Sequence, residues 1–224
     1  MHRGEGYAII FLANIVYSIQ EVNKMKSIYT CGVCPKKPCA KGEGNFPKNC
    51  PTIEKRDIVE QSVAIYKQDE MVHKIMNFAN TLPKKENGEL RSRAEEIIEF
   101  IKQMGFKTIG VAFCYSTSKE AKQFVKLLEQ YDLKIVPVCC KVGSIDIEDI
   151  DIQKDKEGFV ATCNPITQAE IMNQENTELN VVIGLCVGHD ILFNKYSKGL
   201  VTTLVAKDRK YSHCPVKGLE AVNV

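Results

Sequence analysis

Tryptophan is absent from this 224-residue chain, and histidine occurs only four times. No apolar run reaches the ~18 residues that a membrane-spanning helix needs, so no membrane segment is expected. No GxGxxG follows a strand-like run, and no GxxxxGK[ST], GxSxG or HExxH appears. Dinucleotide, P-loop, serine-hydrolase and zincin chemistry therefore lose their usual sequence support. Charge of one sign is also not concentrated: the net charge is +2, with no basic tract interleaved with aromatics. A nucleic-acid partner is not expected on that balance.

What the chain has is cysteine, ten in all, against an ordinary 44% hydrophobic and 26% charged background. A disulfide framework belongs to short secreted scaffolds with poor cores. This chain is long enough for an ample core. Reduced thiols in a cytoplasmic compartment are the expectation, with structural disulfides the alternative. Residues 1–24 hold an apolar stretch, Tyr7 to Ile19, without a clear cleavage site after it. Met25 stands just ahead of the first cysteines, and a start there would leave residues 1–24 a spurious or disordered extension.

Residues 25–52 read as a cysteine-rich loop. Cys31, Cys34, Cys39 and Cys50 lie in TCGVCPKKPCAKGEGNFPKNCP, a stretch too rich in proline, glycine and lysine to collapse on its own. Four thiolates suit zinc or iron–sulfur iron. The missing second CxxC knuckle and the final Cys-Pro tilt the expectation towards an iron–sulfur cluster, 4Fe–4S favoured, with zinc as the alternative.

Residues 53–224 form the remaining domain. A helix is predicted over 53–81, and from residue 92 helices alternate with strands. Ser92 and Glu95 make a capping box. KTIGVAFC (107–114), LKIVPVCC (133–140), LNVVIGLC (179–186) and GLVTTLVAKD (199–208) read as strands. Pro137 marks the second as an edge strand or one that ends early. Thr117 with Glu120 should cap the helix after the first strand, and Pro165 suits the first turn of another. The fold class is therefore α/β, a mostly parallel sheet in a three-layer α/β/α sandwich, with the cysteine-rich loop and a helix at its N-terminus.

In open parallel sheets ligands bind beyond the carboxyl ends of the strands. Cys114, Cys139, Cys140 and Cys186 are predicted at that edge, and Cys163 precedes a helix starting there. Packing alone is the bland alternative, since free cysteine is often buried. The functional expectation gives Cys139, Cys140 and Cys186 as ligands or thiolates and His189 as a proton carrier. Cys114, Cys163 and Gly188 would hold a cofactor, with Gly188 letting an anion or cluster approach a helix start. KDRK (207–210) reads as a solvated turn, with Asp208 and Arg209 pairing across the rim.

The N-terminal cysteine cluster, IGVAFC, VPVCCKVGSI, CNPITQAEIMN, LNVVIGLCVGHDILFNKYS and TTLVAKDR together resemble the DUF1847 family, over nearly everything from Met25 onward. The resemblance implies a protein of anaerobic bacteria and archaea, labelled metal-binding for its cysteines and functionally uncharacterised. A redox protein whose N-terminal cluster passes electrons to the cysteine-rich rim, working with a redox partner protein, is the first expectation. A zinc-binding or ligand-sensing module is the second, and a Cys139–Cys140 dithiol oxidoreductase the third.

Overall fold

The computed structural model describes residues 28–222; the expectation for residues 1–24 falls outside them. The chain divides into two compact units, up to residue 72 and from residue 73.

In the first unit, the loop from 30 to 49 is closed by the Thr30 N–H donating to Asn49 O at 3.3 Å. Three helices follow where one was predicted: α1 (Pro51–Glu54), α2 (Arg56–Gln68) and the start of α3 (Glu70–Thr81). The breaks have local causes. Lys55 leaves helical geometry at φ −125°, ψ 42°. Asp69 is extended, and its carboxylate accepts the Val72 N–H at 3.0 Å, so it caps α3 rather than continuing α2. A short acidic side chain competes in this way with the helical ladder.

The second unit opens its α/β alternation with α4 (Arg93–Met104). The Ser92 side chain accepts from Glu95 N while the Glu95 carboxylate accepts from Ser92 N, and Gly105 ends the helix in left-handed geometry. Ser92→Ala is expected to cost about 1 kcal/mol, the usual worth of an N-cap, measurable as a lower urea midpoint. Then come β1 (Thr108–Phe113), α5 (Ser118–Leu128), β2 (Lys134–Cys139), α6 (Pro165–Gln174), β3 (Leu179–Ile183), α7 (His189–Tyr196), β4 (Leu200–Val205) and α8 (Pro215–Glu220).

The four strands are all parallel, in the order β2-β1-β3-β4. Because successive residues of a strand face opposite ways, β1 and β3 feed two cores. Ile109, Val111, Val181 and Ile183 pack with Ile97 and Ile101 of α4 and Phe124 and Leu128 of α5. Ala112 and Val182 pack with Ala169 and Met172 of α6 and Phe193 of α7. Helices on both faces make the three-layer sandwich. Every residue of β3 is buried, which accounts for its mostly apolar sequence; the one polar residue, Asn180, accepts from the Thr177 hydroxyl at 2.7 Å and donates to the Ser197 hydroxyl at 2.8 Å. Pro137 sits on the edge strand β2, where its missing N–H leaves no ladder bond unmade.

With this order the direction of winding reverses between β1 and β3. That is the switch point at which a crevice opens beyond the strand ends.

Candidate functional site

The turn after β1 is built over the switch point. Cys114 N donates to Ile183 O at 3.1 Å, tying the ends of β1 and β3. Thr117 was predicted to cap α5, but its side chain makes no capping bond. Its fully buried hydroxyl instead lies 3.0 Å from Cys114 O and 2.9 Å from Ile183 O, donating across both strand ends. Residues 115–117 form a single 3-10 turn beneath this anchor. Cys114 is thereby held rigidly, with only 7% of its surface exposed.

Its thiol meets two polar neighbours. The Ser116 hydroxyl lies 3.4 Å from Cys114 Sγ, and the Lys207 ammonium, just beyond β4, donates to that same hydroxyl. Burial pushes the Cys114 thiol up, but the hydroxyl and backbone N–H of Ser116 and the charge of Lys207 together bring it from 9.0 down to about 7. A thiol in that range is substantially ionised in neutral water, and the thiolate is the nucleophilic and metal-binding form.

Cys140 sits next to this turn and behaves in the opposite way. Its sulfur accepts the Tyr115 N–H at 3.3 Å, and its own N–H donates to Phe113 O at 2.8 Å. Burial first, then the negative charge that Cys114 and Cys163 carry when ionised, push its thiol well above the ordinary range. Cys163 Sγ lies 3.6 Å from Cys140 Sγ. The two segments are stitched together by Asn164 N donating to Cys140 O at 2.7 Å, while the Asn164 side chain caps α6.

The strand pleat separates the two vicinal cysteines. Cys139 lines a cavity of about 390 Å³ with Phe113, Ala121, Lys122 and Val125, on the α5 side of the sheet. Cys140 belongs to the core on the α6 side, against which Cys139 also packs in part. The thiol in contact with Cys140 is Cys163. Adjacent strand residues point to opposite faces.

Cys186 is half-buried after β3 and packs against the same core as Cys140 and Cys163. Arg209 Nη2 donates to its sulfur at 3.1 Å. Arg209 therefore reaches across the rim, as expected, whereas Asp208 does not. The Asp208 carboxylate accepts the N–H groups of Lys210 and Tyr211 and shapes its own turn. Gly188 precedes α7 with φ +92°. The Asp190 carboxylate accepts from both Gly188 N and Ile191 N, so a carboxylate of the chain itself already sits at that helix start. His189 opens α7 half-buried, and its imidazole makes no hydrogen bond among the described residues. Lys207, Ser116 and Thr117 are the site residues that sequence reasoning left out; their roles depend on contacts between strand ends.

The N-terminal cysteines present a different picture. Cys50 is buried, Cys34 half-buried, and Cys31 and Cys39 are exposed. Cys31 and Cys50 flank the Thr30–Asn49 bond that closes the loop. Four sulfur donors suit a thiophilic metal by their chemistry. Among the described residues, however, no three His, Cys, Asp or Glu side chains are gathered as a metal ion would require. The same holds for the rim thiols.

Among the described residues no helix is long and apolar enough to cross a membrane. The model of the family described as protein of unknown function (DUF1847) matches residues 50–204. An uncharacterised protein of Methanocaldococcus jannaschii is 42% identical over 184 residues, which is 82% of this chain and 89% of that protein. No solved structure matches. The chain belongs to the DUF1847 family.

Proposed function

We propose that this DUF1847 protein is a cysteine-based redox protein whose reactive group is the Cys114 thiolate at the carboxyl edge of the sheet. The observation that supports this most is the setting of Cys114: a buried thiol on a rigid turn, brought to about 7 by Ser116 and Lys207. Apolar burial raises a thiol, while polar and cationic neighbours lower it. Burial raises the Cys140 thiol, whereas Cys114, next to it, is lowered. Arg209 on Cys186 adds a second cationic contact to sulfur on the same rim.

A reducing, cytoplasmic setting and a partner protein as electron source accompany the reading. Cys31, Cys34, Cys39 and Cys50 are proposed to take a thiophilic metal, an iron–sulfur cluster first and zinc second, if the loop draws them together on binding. Folding energy supplied by a metal is a general property of such loops. Protein purified without oxygen should contain iron and sulfide in the first case and about one zinc per chain in the second. Replacing Cys34 with serine should remove that metal.

The test of the central reading is alkylation. In the reduced protein, iodoacetamide labelling of Cys114, followed by mass spectrometry from pH 5.5 to 10, should be half-maximal in rate near pH 7. Labelling of Cys114 that follows an ordinary thiol, half-maximal near 9.0, would sink the proposal.

A further inference from the structure

Cys140 and Cys163 are separated by 23 positions in sequence and by a strand end and a loop, yet their sulfurs lie 3.6 Å apart. Closing that gap to a disulfide needs about 1.5 Å of combined movement, given a bond near 2.05 Å. The backbones are already joined beside them, through Asn164 N and Cys140 O. Cys140 is almost fully enclosed, at 1% exposure, while Cys163 is half-buried and so the more open of the two. We propose that Cys140 and Cys163 are a reversible dithiol/disulfide couple that exchanges two electrons with low-molecular-weight disulfides, Cys163 being the entry sulfur and Cys140 the resolving one.

The exchange balances without a metal. Cys163, deprotonated to solvent, attacks one sulfur of RSSR; a Cys163–SR bond forms and RS⁻ leaves to take up a proton. Cys140 then loses its proton and attacks Cys163 Sγ, expelling the second RS⁻, which becomes RSH. The dithiol is oxidised to a disulfide and RSSR is reduced to two RSH. The Tyr115 N–H aimed at Cys140 Sγ stabilises the developing thiolate in the second step. The first step is slowed for a bulky RSSR by the partial burial of Cys163, and the second is intramolecular.

This deepens the thiol-redox reading given above, but it stands on a different pair of sulfurs, and its test reads different residues. The full-length reduced chain is equilibrated without oxygen in glutathione buffers of rising oxidised fraction, quenched with acid, alkylated and digested with trypsin. Trypsin leaves Cys139 with Cys140 on one peptide and Cys163 with Cys186 on another, so fragmentation of the linked pair places the bond. The expected result is a Cys140–Cys163 link that appears with the oxidised fraction and is lost on returning to reduced buffer. In Cys163→Ser, Cys140 should stay alkylatable at every ratio. Cys140 and Cys163 both remaining free throughout, or a link from Cys140 to another cysteine, overturns the proposal. If Cys114 labels like an ordinary thiol but the Cys140–Cys163 link forms, the couple stands and the Cys114 reading falls; the converse result separates them the other way.

Discussion

Gly184→Ala is expected to destabilise the α/β unit by about 3 kcal/mol, combining the cost of left-handed backbone with that of overpacking. Gly184 directly follows β3 with φ +62°, and a methyl group there would lie 2.5 Å from Thr117 Cγ2 and 2.8 Å from its Oγ1. Thr117 has nowhere to go: it is fully buried, and its hydroxyl is engaged with Cys114 O and Ile183 O. A lower urea midpoint with an unchanged slope would register the loss. The same substitution should slow Cys114 alkylation at pH 7, because displacing Thr117 shifts the turn that presents Ser116. Gly188→Ala is the control. Its φ is also positive, at +92°, but nothing lies within 4 Å of the added carbon. It should carry only the backbone cost of about 1 kcal/mol and leave Cys114 unchanged.

Lys207→Met should reduce the rate of Cys114 alkylation at pH 7 by about fivefold, as a rise of about one pKa unit from about 7 lowers the ionised fraction from about a half to about a tenth. The ammonium acts both by its charge and through the Ser116 hydroxyl to which it donates. A smaller fall is expected for Ser116→Ala, which removes the hydroxyl and spares the charge. Both variants should also flatten the dependence of stability on pH. A thiol held at about 7 in the folded protein and 9.0 when unfolded adds stability that is complete above pH 9 and is lost as pH falls through 7. Wild type should therefore gain stability from pH 7 towards 9, measured by urea unfolding under reducing conditions. Cys140 has the opposite sign. Its raised thiol keeps its proton when the unfolded one ionises, so its contribution is present below pH 9 and declines above. A stability maximum near pH 9 is the combined expectation from these two thiols, and Lys207→Met should move it down.

Much of the fold was readable from local patterns. Gly105 and the Ser92–Glu95 box bound α4 where periodicity ended. The β3 run, apolar but for Asn180, announced a buried central strand, and Pro137 announced an edge. The 53–81 stretch was misread because apolar spacing continues through Lys55 and Asp69, while the helix breaks are set by backbone geometry and one carboxylate. Thr117 was misread for a related reason: Ser or Thr before a helix suggests a cap, but this hydroxyl is used between strands.

The candidate site divides in the same way. Cysteine content, the placement of Cys114 and Cys186 at strand ends and the Cys31–Cys50 cluster all follow from residue types in order, because strand direction and the carboxyl-edge rule need only one dimension. The contact of Cys140 with Cys163 does not, since it depends on the crossover returning Cys163 beside the end of β2. Nor does the contrast between Cys114 and Cys140. Two thiols on neighbouring strand ends differ because Lys207, far along the chain, arrives over one of them and apolar packing surrounds the other. By itself the sequence determined where sulfur is plentiful and which edge of the sheet it reaches; only the tertiary structure decided which sulfur lies beside Ser116 and Lys207 and which two lie in contact, because both depend on distances between strands that are remote in sequence.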